Sequence, residues 1–329
     1  MCIRDRFRAD NNIDKVTRKD ALKQQLKRLD DQITVWLDAL STNDNDDEPG
    51  QGGDTRSALA ALEAERETLT ERIRAMDEAG LATEPQTDVD ARVMKRGQVG
   101  YNVQSAVDSK HRMIVDADVV QETNDLRQLY RMARRAKSRL NSSRLTVLAD
   151  AGYSNGYLLK RCQAHGMTPY LPVQRAMNTS GNGDYYDKSE FCYHAEGDYY
   201  SCPAGRQLPR KTKATRTRIY LYTSEACRDC ALKSQCTGSE QRWVSRHFEE
   251  DVLDEVAART KAKPQMMRQR KGMVEHPFGT LKRRMDGGRF LLRGLEKVKA
   301  EIALAVTAYN LTRAINILGV RQLCRALAT

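Results

Sequence analysis

No apolar run in this 329-residue chain approaches 18 residues, and no short apolar stretch follows Met1 as it would in a secretory leader. The sequence therefore carries no signature of a membrane-spanning helix or an export signal, and the expectation is a soluble cytoplasmic protein. An acidic excess is also missing: 55 Lys and Arg against 44 Asp and Glu leave a formal net charge of +11. A field of that sign attracts polyanions, which makes nucleic acid the expected partner and an anionic membrane the rival. The eight cysteines have no thioredoxin-like setting. In a reducing compartment they read as thiols or metal ligands, not as a disulfide framework.

What is present falls into blocks. The first six residues, MCIRDR, do not look like the start of a domain and resemble a translated sequencing-adaptor remnant, which would mean that the true N-terminus is missing, so they are left out of the fold expectation. Leu22, Leu26, Leu29, Ile33, Trp36 and Leu40 step by four and three, a narrow helical seam. Leu59, Leu62, Leu69, Ile73 and Met76 make a second seam in which Arg66 takes one position. Between them STNDNDDEPGQGGDT is too polar to order itself, so residues 1–85 read as a helical hairpin with a mobile acidic linker, suited to spacing or self-association. GLATEPQTDVD then breaks the helical period.

From residue 86 the period is two. GYNVQSAVD puts Tyr101, Val103 and Val107 on one side and Asn102, Gln104 and Asp108 on the other; RMIVDADVV reads as the returning strand. A helical spacing continues over 125–136, then come LTVLAD, apolar on both faces until Asp150, a helix over 157–165 and a short strand over 168–173. The order β-β-α-β-α-β marks a mixed α/β core, with an Asp at the C-terminal end of each of two strands, where open α/β sheets place their chemistry. Taken singly, Asp108 reads as a turn acid and Asp150 as a helix cap.

The interval between Asp150 and the next conspicuous acid is too long for a loop, so residues 175–262 read as a β-rich insertion. It holds Cys202, then Cys227-x₂-Cys230-x₅-Cys236, a set of thiols suited to tetrahedral Zn²⁺. Cys192, His194 or His247 are substitutes for one ligand, and buried free thiols are the plain alternative. The run 210–218, RKTKATRTR, offers Arg210, Lys211 and Lys213 to DNA phosphates or is a solvated strand. Tyr185, Tyr186, Tyr199 and Tyr200 are either core residues or platforms for unpaired bases.

Residues 263–329 include RQRKGMVEHPFGTLKRRMDGGRFLL, where the acid Glu275 sits among Arg268, Arg270, Lys271, Lys282, Arg283 and Arg284. Val274, Phe278, Leu281 and Met285 predict a helix with one face in a core. A carboxylate on a cationic helix can ligate a hard metal while Lys271, Lys282, Arg283 and Arg284 hold phosphates. Three carboxylates meeting at one site, Asp108, Asp150 and Glu275, repel one another and need bound cations at neutral pH. Mg²⁺ or Mn²⁺ there would serve phosphodiester chemistry. A last helix through Val298, Ile302 and Ala305 to Leu318 is expected to close the core.

YNVQSAVD, VLADAGYSN and VEHPFGTLKRR resemble the three acidic blocks of bacterial insertion-sequence DDE transposases, of the IS-four type and relatives, and TDVDARVM resembles their lead-in. The resemblance spans roughly residues 87 to 318. It implies a ribonuclease-H-like core with Asp108, Asp150 and Glu275 as the metal-binding triad. The family's last block, Tyr-x₂-Arg-x₃-Glu-x₆-Lys, is matched at Glu275 and Lys282, whereas Lys271 stands for the Arg and Arg268 for the Tyr. Further implications are cleavage at transposon ends with strand transfer, a homodimer on DNA, and a bacterial, nucleoid-associated location. A truncated N-terminus is implied too, since no DNA-recognition domain pattern precedes the core. A stand-alone nuclease of that fold and an inactive DNA-binding remnant are the alternatives.

Overall fold

The computed structural model describes residues 2–10, 15–43, 52–94, 97–173 and 185–328; the side chains of residues 2–5, 39–43, 52–56, 274 and 275 lie outside the description. In chain order the elements are β1 (Cys2–Arg8), β2 (Val16–Arg18), α1 (Lys19–Asn43), α2 (Gly52–Glu78), β3 (Thr83–Pro85), β4 (Arg92–Val93), β5 (Val99–Val107) and β6 (Ile114–Val120). Then come α3 (Leu129–Arg139), β7 (Leu145–Leu148), α4 (Gly156–Ala164) and β8 (Met167–Tyr170). Five short strands come next, β9 (Cys192–His194), β10 (Tyr199–Ser201), β11 (Gln207–Ala214), β12 (Ile219–Tyr222) and, after the single turn α5 (Lys233–Cys236), β13 (Val244–His247). Helices α6 (Glu250–Ala262), α7 (Pro264–Arg284), α8 (Leu295–Leu318) and α9 (Val320–Leu327) end the chain. Two compact units result, one of Met1–Ile3, Gln104–Asp116 and Asn124–Pro277, the other of Arg4–Val103, Ala117–Thr123 and Phe278–Thr329.

In the second of these units α1 and α2 pack along the predicted seams: Leu22, Leu29 and Ile33 meet Leu69, Ile73 and Met76. Arg66, the cation in the seam, is ion-paired with Asp30 at 2.6 Å, which turns a packing fault into a surface contact. Trp36 is half exposed, so the seam loosens toward the acidic linker. Linker residues 44–51, like the side chain of Leu40, lie outside the described residues. The residues set aside as foreign do join the fold, because Cys2–Arg8 is a strand beside β5. Its buried Phe7 packs at 5.5 Å from Phe290 and 6.2 Å from Phe278. Gly100 lies so close that a Cβ there would sit 2.1 Å from the Phe7 carbonyl oxygen.

The same unit shows what the lead-in acids do. Asp88 accepts the Tyr101 hydroxyl at 2.8 Å and the Gly294 N–H at 3.2 Å, and Asp90 accepts the Leu295 N–H at 2.8 Å. They thus satisfy donors at the start of α8, whose own N-cap is a glycine. Burial, then the bond to Asp88, pushes the Tyr101 hydroxyl well above the usual tyrosine range. Helix α8 does not close a core as expected: Val298, Ile302 and Tyr309 are buried, whereas Leu304 and Leu311 face solvent. No single helix among the described residues is long and apolar enough to cross a membrane.

In the first unit β7 and β8 run parallel, Leu145 opposite Met167 and Leu148 opposite Tyr170, with α4 as the crossover. Leu129, Met132 and Ala133 of α3, Leu159 and Cys162 of α4, and Leu253 and Val256 of α6 cover them. Burying a Leu or Met side chain there contributes roughly 1.5–3 kcal/mol. The expected single mixed sheet is instead in pieces among the described residues. β5 pairs with β6, β1 and β4, so its hydrogen-bonding edges are taken, and β7–β8 stands as a separate pair. Every residue of β5 is buried, including Asn102, Gln104 and Ser105, so neither face is a solvent face.

The insertion forms an antiparallel sheet in the order β13-β12-β11-β10-β9 around Phe191, Tyr200, Leu208, Tyr222 and Val244. Its tyrosines serve this small core: Tyr200 and Tyr222 are buried edge to face at 5.0 Å, and Tyr199 stacks on His194 at 4.6 Å. The expected boundary near residue 175 lies outside the described residues.

Candidate active site

β7 delivers Asp150 to the end of its strand, as the run LTVLAD predicts. There it caps a 3-10 turn, Ala151–Tyr153, through a 2.8 Å bond from the Gly152 N–H to Oδ1. Its other oxygen, Oδ2, pairs with Arg270 Nη2 at 3.3 Å. Arg270 comes from α7, 120 residues away, and lies five residues before Glu275 on that helix. The Arg270 Nε is buried and has no hydrogen-bond partner among the described residues. Pro277 in α7 removes the backbone bond that would run to the Met273 carbonyl, two residues past Glu275 in the helix. Glu275 itself is placed on α7 by its backbone, and its side chain lies outside the described residues.

A buried polar chain fixes the turn that bears Asp150. The Tyr153 hydroxyl donates to Gln104 Oε1 at 2.5 Å, and Gln104 Nε2 donates to Asp125 Oδ1 at 2.8 Å. All three residues are at most 1% exposed. Bonds of this kind, shielded from water, hold a geometry firmly because breaking one strands a buried polar group. Gln104 thus ties the loop after β7 to the middle of β5.

Asp108 is placed differently. Its Oδ2 accepts the N–H groups of Lys110 at 3.0 Å and His111 at 2.6 Å, and its Oδ1 accepts that of Met113 at 2.8 Å. Both oxygens therefore serve the β5–β6 turn, and no contact joins Asp108 to Asp150 among the described residues. Gln104, which does reach the Asp150 loop, lies four residues back along β5, roughly 13 Å at strand rise.

As a ligand set for Mg²⁺ or Mn²⁺ these carboxylates differ. Asp150 fits a hard cation, being partly exposed with one oxygen held by a long ion pair. Asp108 already accepts three amides, which leaves it fewer free acceptor positions. Among the described residues no three His, Cys, Asp or Glu side chains are placed to hold a metal ion.

The expected phosphate-binding residues are divided as well. Lys271 and Arg283 are exposed, Arg284 donates to Thr312 at 3.2 Å, and the Lys282 ammonium lies 5.7 Å over the Phe7 ring. Arg210 is paired with Asp198 at 2.8 Å and Lys213 lies over Phe248, while Lys211 is exposed. Cys202, Cys227, Cys230 and Cys236 line one small cavity together with Arg242. Burial pushes the Cys236 thiol up; Arg242 opposes this, and the other three thiols add to it. The four cysteines share a cavity without closing on one point, so the geometry itself does not make a zinc centre. No local pattern marked Arg270, one cation among many, or the Gln104–Tyr153–Asp125 chain.

A strand-end carboxylate held against a cationic helix defines a candidate phosphoryl-transfer site on an α/β scaffold. The family model described as Transposase DDE domain matches residues 68–311, well over half of the chain, and the chain belongs to that family. No curated protein matches it. Among solved structures, the cryo-EM structure of a piggyBac transposase synaptic complex with hairpin DNA is similar at 10% identity and a TM-score of 0.32. That similarity covers 67% of this chain and 42% of the other, so the chain spans less than half of that structure's length.

Proposed function

We propose that this protein is a DNA transposase of the bacterial insertion-sequence kind, of the IS-four type or a relative. It would cut DNA at transposon ends and join them to target DNA, working as a homodimer at the nucleoid on a ribonuclease-H-like core. The observation that carries this reading is the Asp150–Arg270 pair, which brings a strand-end carboxylate onto the helix that bears Glu275. We assign Asp150 and Glu275 as the acids that would hold Mg²⁺ or Mn²⁺. When bound, the ion would lower the pKa of an attacking water or hydroxyl and offset charge on the leaving oxygen. Arg270 holds Asp150 in place. Lys271 and Arg283, exposed on the same helix, hold the DNA backbone. Asp108, the third acid by resemblance, joins such a site only if its turn opens. The test is Glu275→Gln, which keeps size and removes charge. Cleavage of end-bearing DNA should fall by orders of magnitude while affinity for DNA holds or rises. Cutting and joining at the unaltered rate would overturn the reading, and cutting without joining would favour a nuclease.

In the insertion we propose a structural Zn²⁺ on Cys202, Cys227, Cys230 and Cys236, supported by the cavity they share. The sulfurs would have to draw in to about 2.3 Å from the ion. Metal analysis of freshly purified protein should return one zinc per chain, lost on Cys227→Ser with Cys230→Ser; a zinc-free, fully folded insertion would remove the site.

A further inference from the structure

The proposed site uses the end of β7, but a second cationic surface lies elsewhere in the same unit. From Leu126 to Arg144 the sequence holds Arg127, Arg131, Arg134, Arg135, Arg139, Arg144 and Lys137, with no Asp or Glu. Helix α3 buries Leu129, Tyr130, Met132, Ala133 and Ala136 in the core. On its opposite side Arg131, Arg134 and Ser138 are exposed, and Arg127 and Asn141, exposed as well, sit in the turns just before and after the helix. Like charges at such spacings repel, and a helix stabilised for its own sake would carry acids among them.

Some of the positive charge is matched internally. Arg135 and Arg139 both pair with the buried Asp116, at 2.8 and 3.0 Å, and Lys137 donates to the His165 carbonyl at 2.5 Å. Arg161 lies over the Tyr130 ring at 4.1 Å. Arg127, Arg134 and Arg144 have no such partner among the described residues. Beside them runs an open groove lined by Arg134, Lys137, Asn141, Ser142, Ser143 and His165. Cations flanked by hydroxyl and amide groups are the set that grips phosphate and sugar without reading bases. The partial negative charge at the C-terminal end of α3, about half an elementary charge, is outweighed by the cations of its last turns. From Arg131 to Ser138 the helical part spans roughly 10 Å, and Arg127 and Arg144 flank it in sequence, enough for consecutive phosphates of one strand.

The groove reaches Gly166 and Met167, at the start of β8, and so lies at the opposite end of the β7–β8 pair from Asp150. Phosphates held there are not the ones being cut. We propose that the exposed cations on and beside α3, Arg127, Arg131 and Arg134, and the adjoining groove form a second track for the backbone of duplex DNA, separate from the Asp150 site. This rests on the reading of the protein as a DNA transposase, and it names where a further segment of DNA is held.

The test uses the full chain with Arg127, Arg134 and Arg144 changed together to Gln, and separately to Lys. Binding to a mixed-sequence duplex is measured from low to moderate salt, with thermal unfolding as the control. The Gln variant should unfold no lower than the parent and bind roughly ten- to a hundredfold more weakly at low salt. Its plot of log K against log salt should flatten by about 2–3, near 0.9 per lost phosphate contact. The Lys variant should keep the parental slope, which a purely structural role for the guanidinium groups would not predict. A folded Gln variant with unchanged slope overturns the α3 track while leaving the transposase reading intact. A parent chain that binds no duplex at any salt overturns both.

Discussion

Two aspartates, each just past the end of a core strand, make an instructive pair. Asp108 follows β5 and Asp150 follows β7, and in sequence both look equally fit to ligate a metal. In the fold, Asp108 gives both oxygens to three N–H groups of its own turn, whereas Asp150 gives one oxygen to a turn and faces Arg270 of α7 with the other. The difference lies in the connection that leaves each strand. A tight hairpin after β5 points its free amides inward at the nearest acceptor. The crossover after β7 leaves room for a side chain from a distant helix. The two acids thus differ in how much of each carboxylate its own turn engages.

The strongest way to break this contrast is to neutralise each acid in turn. Asp150→Asn should abolish metal-dependent DNA cleavage, a loss of orders of magnitude, with little change in unfolding temperature. Asp108→Asn should do the reverse. It removes a charged acceptor of three amides, which costs about 1–3 kcal/mol of stability, and should leave cleavage within about tenfold at a temperature where the variant is folded. Cleavage lost from a folded Asp108→Asn protein would place Asp108 in the catalytic set beside Asp150.

A smaller effect sharpens the account of how Asp150 is held. Gln104→Leu leaves the Tyr153 hydroxyl and one Asp125 oxygen without their shared partner, at about 2–4 kcal/mol by denaturant titration. Tyr153→Phe removes only a donor and should cost about 1–2 kcal/mol. Both should slow cleavage more than they weaken DNA binding, because the Asp150 turn loses its anchor. Equal losses in the two assays would make the buried chain a matter of folding alone.

The smallest expected effect comes from a third turn acid that is structural without question. Burial raises the Asp198 carboxyl, but bonds from Tyr222 and Tyr193 and the charge of Arg210 outweigh that and hold it below the ordinary carboxylate range. A depressed folded pKa adds stability above the unfolded value, near 4, and that stability is lost as pH falls through the folded value. The insertion should therefore loosen below about pH 4, and Asp198→Asn should flatten that acid limb. An unchanged limb would mean that the tyrosines and Arg210 gain nothing from the charge.

Much of the fold is legible because it is periodic. The four-three steps of Leu22 to Ile33 and Leu69 to Met76 do lie in one helical hairpin, and LTVLAD does hold a strand, Leu145–Leu148, buried only in its second half, that leads to Asp150. β5 was harder. Its alternation of Tyr and Val with Asn and Gln looks like a half-exposed strand, yet Gln104 is buried because Tyr153 and Asp125 satisfy it. The opening residues looked foreign, yet Phe7 anchors a strand on them. Helix α8 looked like a core helix, yet only part of one face is covered.

By itself the sequence determined the period of the main helices and strands, the cationic field, and which acids follow a strand. These depend on neighbours a few residues apart, whose spacing sets side-chain direction. Only the tertiary structure decided which polar groups meet: Gln104 with Tyr153 across 49 residues, and Asp150 with Arg270 across 120. No local pattern encodes such meetings. They depend on chain reversals that bring separate segments together and on burial, which makes each buried polar group take whichever partner the packing provides.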